Sequence, residues 1–146
     1  MRSIRILLLL GLAAMMTFAA TATVSATGGR PLSTTLSGAE EFPGPGDPDG
    51  TGVARITVNP GLGKVCFWLN VAGIDAATAA HIHAGDAGVA GGVVRGLIAP
   101  TSGSSSGCVA VTRELAKAII QNPSHYYVNV HNSIYPAGAL RGQLGD

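Results

Sequence analysis

The sequence holds only two cysteines in 146 residues, Cys66 and Cys108, with no Cys-x-x-Cys spacing, which argues against a cysteine metal site. Excess positive charge is lacking too. Beyond residue 26 there are seven Lys and Arg against eight Asp and Glu, a net charge of −1, so nucleic acid and anionic membrane find no electrostatic support. No apolar run reaches the about 20 residues of a spanning helix, because Thr17, Thr21 and Thr23 interrupt the one that begins at Ile6. There is no Gly-x-Ser-x-Gly and no histidine motif beside either cysteine, which leaves nucleophilic catalysis unsupported. The glycine-rich segment Gly85 to Gly92 is not followed by a helical pattern, so it is no phosphate loop.

What is present begins with a secretory signal. Arg2 and Arg5 precede the apolar run Ile6 to Leu10, and small residues follow at Ala20-Thr21-Ala22 and Val24-Ser25-Ala26. The second triplet is the better cleavage site, giving a leader of residues 1–26 and one domain of residues 27–146. That length suits a single hydrophobic core. No lipid-attachment cysteine follows the leader and no apolar tail ends the chain, so the expected product has no membrane anchor after cleavage. In an oxidising compartment Cys66 and Cys108 read first as one disulfide, with two buried thiols or a metal pair as the alternatives.

Turn residues punctuate the domain roughly every ten positions, an all-β signature. Strands are expected at Leu32 to Leu36, Gly52 to Val58, Lys64 to Val71, Thr78 to His83, Val93 to Ile98, Gly107 to Val111, Tyr126 to Asn132 and Ala139 to Leu144. The Pro-rich segment Pro43 to Gly50 and the Ser/Gly segment Thr101 to Ser106 read as loops. One stretch breaks the pattern. Leu115, Ala118 and Ile119 follow helical spacing, Thr112 can cap them, and Asn122-Pro123 stops them. About eight strands and one crossover helix predict an antiparallel β-sandwich or Greek-key barrel.

Side chains alternate across a strand, so each strand's neighbours assign its faces. Val65, Phe67, Leu69 and Val71 claim the core, which puts Cys66 and Trp68 outside; Val109 and Val111 leave Cys108 outside as well. A cross-strand disulfide on an outer face follows. In Ala79-Ala80-His81-Ile82-His83 the two histidines share a face opposite Ile82, and in the strand from Tyr126 the residues Tyr127, Asn129 and His131 oppose the valines. His81, His83 and His131 therefore project outward. Residues two apart on a strand stand about 6.6 Å apart, near enough for imidazoles to share a copper or zinc ion, with His131 as third ligand if its strand pairs alongside. The plain alternative is three idle polar residues. His125, after the helix stop, reads as a surface residue, and Glu40 and Glu41 read as solvated loop charges. Arg141 faces away from its flanking leucines and could pair with one of those glutamates, a surface pair that would contribute only ~0–1 kcal/mol.

Taken together, Leu36-Ser37-Gly38-Ala39-Glu40-Glu41, Lys64-Val65-Cys66-Phe67, Ala79-Ala80-His81-Ile82-His83, Ser106-Gly107-Cys108-Val109, Tyr127-Val128-Asn129-Val130-His131 and Pro136 to Leu144 resemble the chordin-type (CHRD) domain family, motif after motif in order. The resemblance implies a secreted β-sandwich module and brings no agreed catalytic residues. Ala139 departs from it, standing where related domains often carry a glutamate. The segment His81-Ile82-His83-Ala84-Gly85-Asp86 is also loosely similar to Cu,Zn superoxide dismutase, but no further set of histidines and aspartate for a bridged two-metal site is visible. The expected function is thus a non-catalytic extracellular binding module for an unidentified ligand or protein. A metal-dependent redox enzyme and a metal-free cell-surface module are the alternatives. Sequencing the N-terminus of the exported protein tests the leader: the expected first residue is Thr27, and a product that keeps Ile6 to Leu10 contradicts it.

Overall fold

A computed structural model describes residues 28–145; the expected leader and its cleavage site lie outside the described residues. The chain forms eight strands: β1 (Arg30–Ser37), β2 (Thr51–Asn59), β3 (Lys64–Ala72), β4 (Ala77–Ala84), β5 (Gly92–Leu97), β6 (Ser104–Ala110), β7 (Tyr126–Asn132) and β8 (Leu140–Gln143). They join in one sheet in the order β5-β4-β7-β8-β1-β2-β3-β6, with every pairing antiparallel. The terminal strands β5 and β6 come together at the far side, where Ser105 Oγ donates to the Ile98 carbonyl at 2.7 Å. The sheet is therefore nearly closed, which removes most of the free edge that would otherwise invite aggregation.

Two half-sheets face each other across the core. Leu32, Leu36, Ala54, Ile56, Val58, Val65, Leu69 and Val71 come from one half, and Ala80, Ile82, Val128, Val130 and Leu140 from the other. The halves meet where β8 crosses β1, pairing only at Ser37 with Arg141 and, just beyond, at Ser33 with Gly145. The crossing is close. A Cβ on Gly142 would stand 2.1 Å from the Thr35 carbonyl oxygen, so only glycine fits there. The helix α1 (Arg113–Gln121) packs Ala116 and Ile119 into the core. Thr112 Oγ1 caps it by accepting from Leu115 N at 3.1 Å, and Arg30 Nη1 donates to the Ile120 carbonyl at its other end at 2.6 Å. Among the described residues no helix is long and apolar enough to cross a membrane.

The alternation pattern locates all eight strands, with ends that agree to within two residues except at the start of β6. Ser104 to Ser106, expected in a loop, belong to β6 and pair with Trp68, Leu69 and Asn70 of β3. Serine and glycine are poor strand formers, and packing against β3 overrides their preference. Cys66 lies directly opposite Cys108 in that register with the two sulfurs at disulfide distance, 2.10 Å. The bridge ties the terminal strand β6 to β3. Trp68, on the same outer face, is 40% exposed with the Arg55 guanidinium 5.2 Å from its ring centroid, so no loop covers it.

The bridge closes a loop of sequence separation 42, which the chain-entropy account values at roughly 4 kcal/mol. Replacing both cysteines by serine is expected to lower the unfolding free energy by about 2–4 kcal/mol in denaturant titration. A change below about 0.5 kcal/mol would mean that β6 holds without its staple.

Candidate metal centre

Strands β4, β7 and β8 lie side by side, and their faces away from the apolar core carry polar side chains in register. His81, Asn129 and Arg141 form one cross-strand row, and His83, Tyr127 and Gln143 the next. His131, two residues past Asn129, reaches His81 on the diagonal, as antiparallel geometry allows. The three imidazoles thus converge: ring centroids are 5.0 Å apart for His81 and His131, 5.6 Å for His81 and His83, and 6.2 Å for His83 and His131. One nitrogen from each ring lies within 4.8 Å of the others. Two imidazole nitrogens on one tetrahedral ion at ~2.0–2.1 Å stand about 3.4 Å apart, so the widest pair must close by about 1.4 Å, which side-chain rotation can supply.

Backbone carbonyls fix which nitrogen is free. His83 Nδ1 lies 2.9 Å from the Gly91 carbonyl oxygen and His131 Nδ1 lies 3.1 Å from that of Pro136. A carbonyl only accepts, so both Nδ1 atoms carry hydrogen and both Nε2 atoms carry lone pairs. His83 Nε2 is buried with no hydrogen-bond partner. His131 Nε2 accepts from His81 Nδ1 at 3.1 Å. Burial, above all, holds the pKa of each of the three rings below its ordinary value, and their mutual proximity adds to this for His81 and His131. All three are neutral near pH 7, the state in which imidazole ligates a metal.

The face is less open than alternation suggests. His83 is only 8% exposed, because the segment Gly85 to Gly91 folds down over it. The surface placement of Arg141 is corrected: it is 1% exposed, and its charge acts on Glu41 from the interior. Its guanidinium donates to the Val89 carbonyl at 2.9 Å, the Asp86 carbonyl at 2.8 Å and Gln143 Oε1 at 3.3 Å, and stacks 3.5 Å over the Tyr127 ring. The expectation for Glu41 fails as well. It is 8% exposed, and its Oε2 accepts from Asn129 Nδ2 at 3.1 Å. A Cβ on Gly138 would fall 2.3 Å from the same carboxyl, so glycine there gives it room. Glu40, by contrast, is exposed as expected. His125 stays outside the trio, bonded to Asp86 at 2.8 Å on the surface.

The family model for the CHRD domain matches residues 32–144. The chain belongs to the CHRD domain family. No curated protein and no solved structure matches it significantly. The matched span takes in every strand that builds the histidine cluster and both cysteines of the bridge. Ala139 of this CHRD domain, at the position where the resemblance leads one to expect glutamate, is fully buried, and the carboxyl beside this turn comes from Glu41 instead.

Burial raises the Glu41 carboxyl from an ordinary 4.5 to about 7, more than the Asn129 hydrogen bond and the Arg141 charge lower it. The folded state therefore keeps a proton that the unfolded chain releases between about 4.5 and about 7. Its contribution to stability is present below that window and lost as pH rises through it. Comparing thermal melts of the wild type and Glu41→Gln from pH 4.5 to 8 isolates this group: the variant should gain on the wild type as pH rises. Parallel curves would contradict it.

Proposed function

We propose that this protein is an exported CHRD domain that binds one copper or zinc ion through His81, His83 and His131 and does no chemistry of its own. The observation that carries the reading is the pair of backbone carbonyls on His83 and His131, each accepting from Nδ1 and leaving Nε2 for a ligand. Metal-binding histidines characteristically donate their second nitrogen in this way. The donor set fits either metal, since neutral imidazole suits both. His81 would join in its other tautomer, with its hydrogen on Nε2 instead of on the Nδ1 that now meets His131, so that a lone pair on Nδ1 stands beside those of the other two rings. The bound ion would supply positive charge and an open coordination position.

Export rests on the Arg2 to Ala26 pattern and on a cysteine pair at disulfide distance, which an oxidising compartment favours. The domain of residues 27–146 would then meet its partner, a ligand or protein, outside the cytosol. The redox-enzyme reading requires turnover from the same three ligands, and the metal-free module requires that they stay idle.

Titration calorimetry of untagged protein with zinc or copper separates these. One ion per chain is expected, with affinity lost by 100-fold or more in His81→Ala, His83→Ala and unchanged in His125→Ala. Equal affinity in the double variant contradicts the site. Superoxide consumption by the copper-loaded protein well above that of the double variant would favour the enzyme.

A further inference from the structure

Gly85 to Gly91 is fastened from below by residues that take no part in the proposed ligand set. Arg141 Nη1 and Nη2 hold the carbonyls of Val89 and Asp86. Gln143 Nε2 donates to the Gly85 carbonyl at 2.6 Å. Gly91 N donates to the Tyr127 hydroxyl at 3.0 Å, and the Gly91 carbonyl is the one that His83 Nδ1 meets. Tyr127 sits on β7, between the strand of His83 and that of Arg141. Its ring stacks on His83 with centroids 4.8 Å apart and planes 12° from parallel, and it lies under the Arg141 guanidinium. Two routes therefore run from Arg141 to His83, one through the peptide of Gly91 and one through the Tyr127 ring.

We infer that Arg141 and Tyr127 are positioning residues that set the tautomer and ring plane of His83, so that Nε2 is the nitrogen presented to His81 and His131. The argument is one of alternatives. A neutral imidazole free of constraint exchanges its hydrogen between Nδ1 and Nε2, and only a fixed acceptor selects one form. The acceptor here is a carbonyl in a glycine-rich segment with little side-chain packing of its own. Its place is set by the Arg141 and Tyr127 hydrogen bonds, with Gln143 holding the start of the segment at Gly85. An arginine suits the task because its planar fork reaches two carbonyls while its face stacks on an aromatic ring; lysine offers neither. The consequence for an ion rests on the metal reading proposed above, whereas the tautomer does not. Outer residues of this kind typically change metal affinity by 10–100-fold.

The test has two readouts. Long-range ¹H–¹⁵N spectra of metal-free protein report the His83 tautomer directly, and zinc titration reports affinity. Wild type and His125→Ala, which removes the surface tie to Asp86 and an edge contact with the Tyr126 ring, should both show hydrogen on Nδ1. Tyr127→Phe keeps the ring and deletes the hydroxyl that holds Gly91, and should mix the tautomers and weaken zinc severalfold. Arg141→Lys should do so by 10–100-fold. If Arg141→Lys fails to fold, Tyr127→Phe decides alone. A wild-type tautomer in folded Tyr127→Phe and Arg141→Lys overturns the inference. A shifted tautomer in a protein whose wild type takes up no zinc would uphold the positioning role and sink the metal reading instead.

Discussion

Burying the Arg141 guanidinium constrains everything else on the polar side of this domain. A charge taken out of water costs several kcal/mol unless partners replace its hydration, and β8 places this one at the crossing of the two half-sheets with almost no solvent contact. Its donors are met by the carbonyls of Val89 and Asp86 and by Gln143, and its face by Tyr127. Those carbonyls can be reached only if the segment after β4 folds back over the sheet. Once it does, it roofs His83 and supplies the Gly91 carbonyl that orients it. The histidine cluster is in this sense downstream of a buried cation two strands away.

The half-sheet β4-β7-β8 thus has two buried faces of opposite character. Ile82, Val128, Val130 and Leu140 point to the apolar core, where close packing and area removed from water stabilise the fold. His81, His83, Asn129, Glu41 and Arg141 form a polar layer on the other side, where burial is favourable only to the extent that hydrogen bonds are made. Some are not. Glu41 Oε1, Asn129 Oδ1 and His83 Nε2 are buried without partners, and the raised pKa of Glu41 is the local cost.

Much of this was legible in the sequence, and the failures share a cause. Period-two alternation located the strands, and it put Cys66 with Cys108 and His81 with His83 on their correct faces, because alternation follows from backbone geometry alone. It could not say whether an outward face meets water or a loop. Arg141 and Glu41 depart from expectation for that reason: alternation gives the direction of Arg141 and none for the loop residue Glu41, and nothing in Gly85 to Gly91 or Pro43 to Gly50 announces that those segments fold inward. The pairing of β7 beside β4, which brings His131 to the other two, is a matter of strand order and long-range contact. Ser104 to Ser106 show the opposite error, a local preference for loop overridden by the register with β3.

The central claim is that His81, His83 and His131 share one ion. Anomalous diffraction from crystals grown with zinc, collected on both sides of the zinc absorption edge, addresses it most directly. The account predicts a single strong peak per chain, bonded at ~2.0–2.1 Å to one nitrogen from each of the three rings. A map with no peak at that point, or with its only peak beside His125 and Asp86, would contradict it.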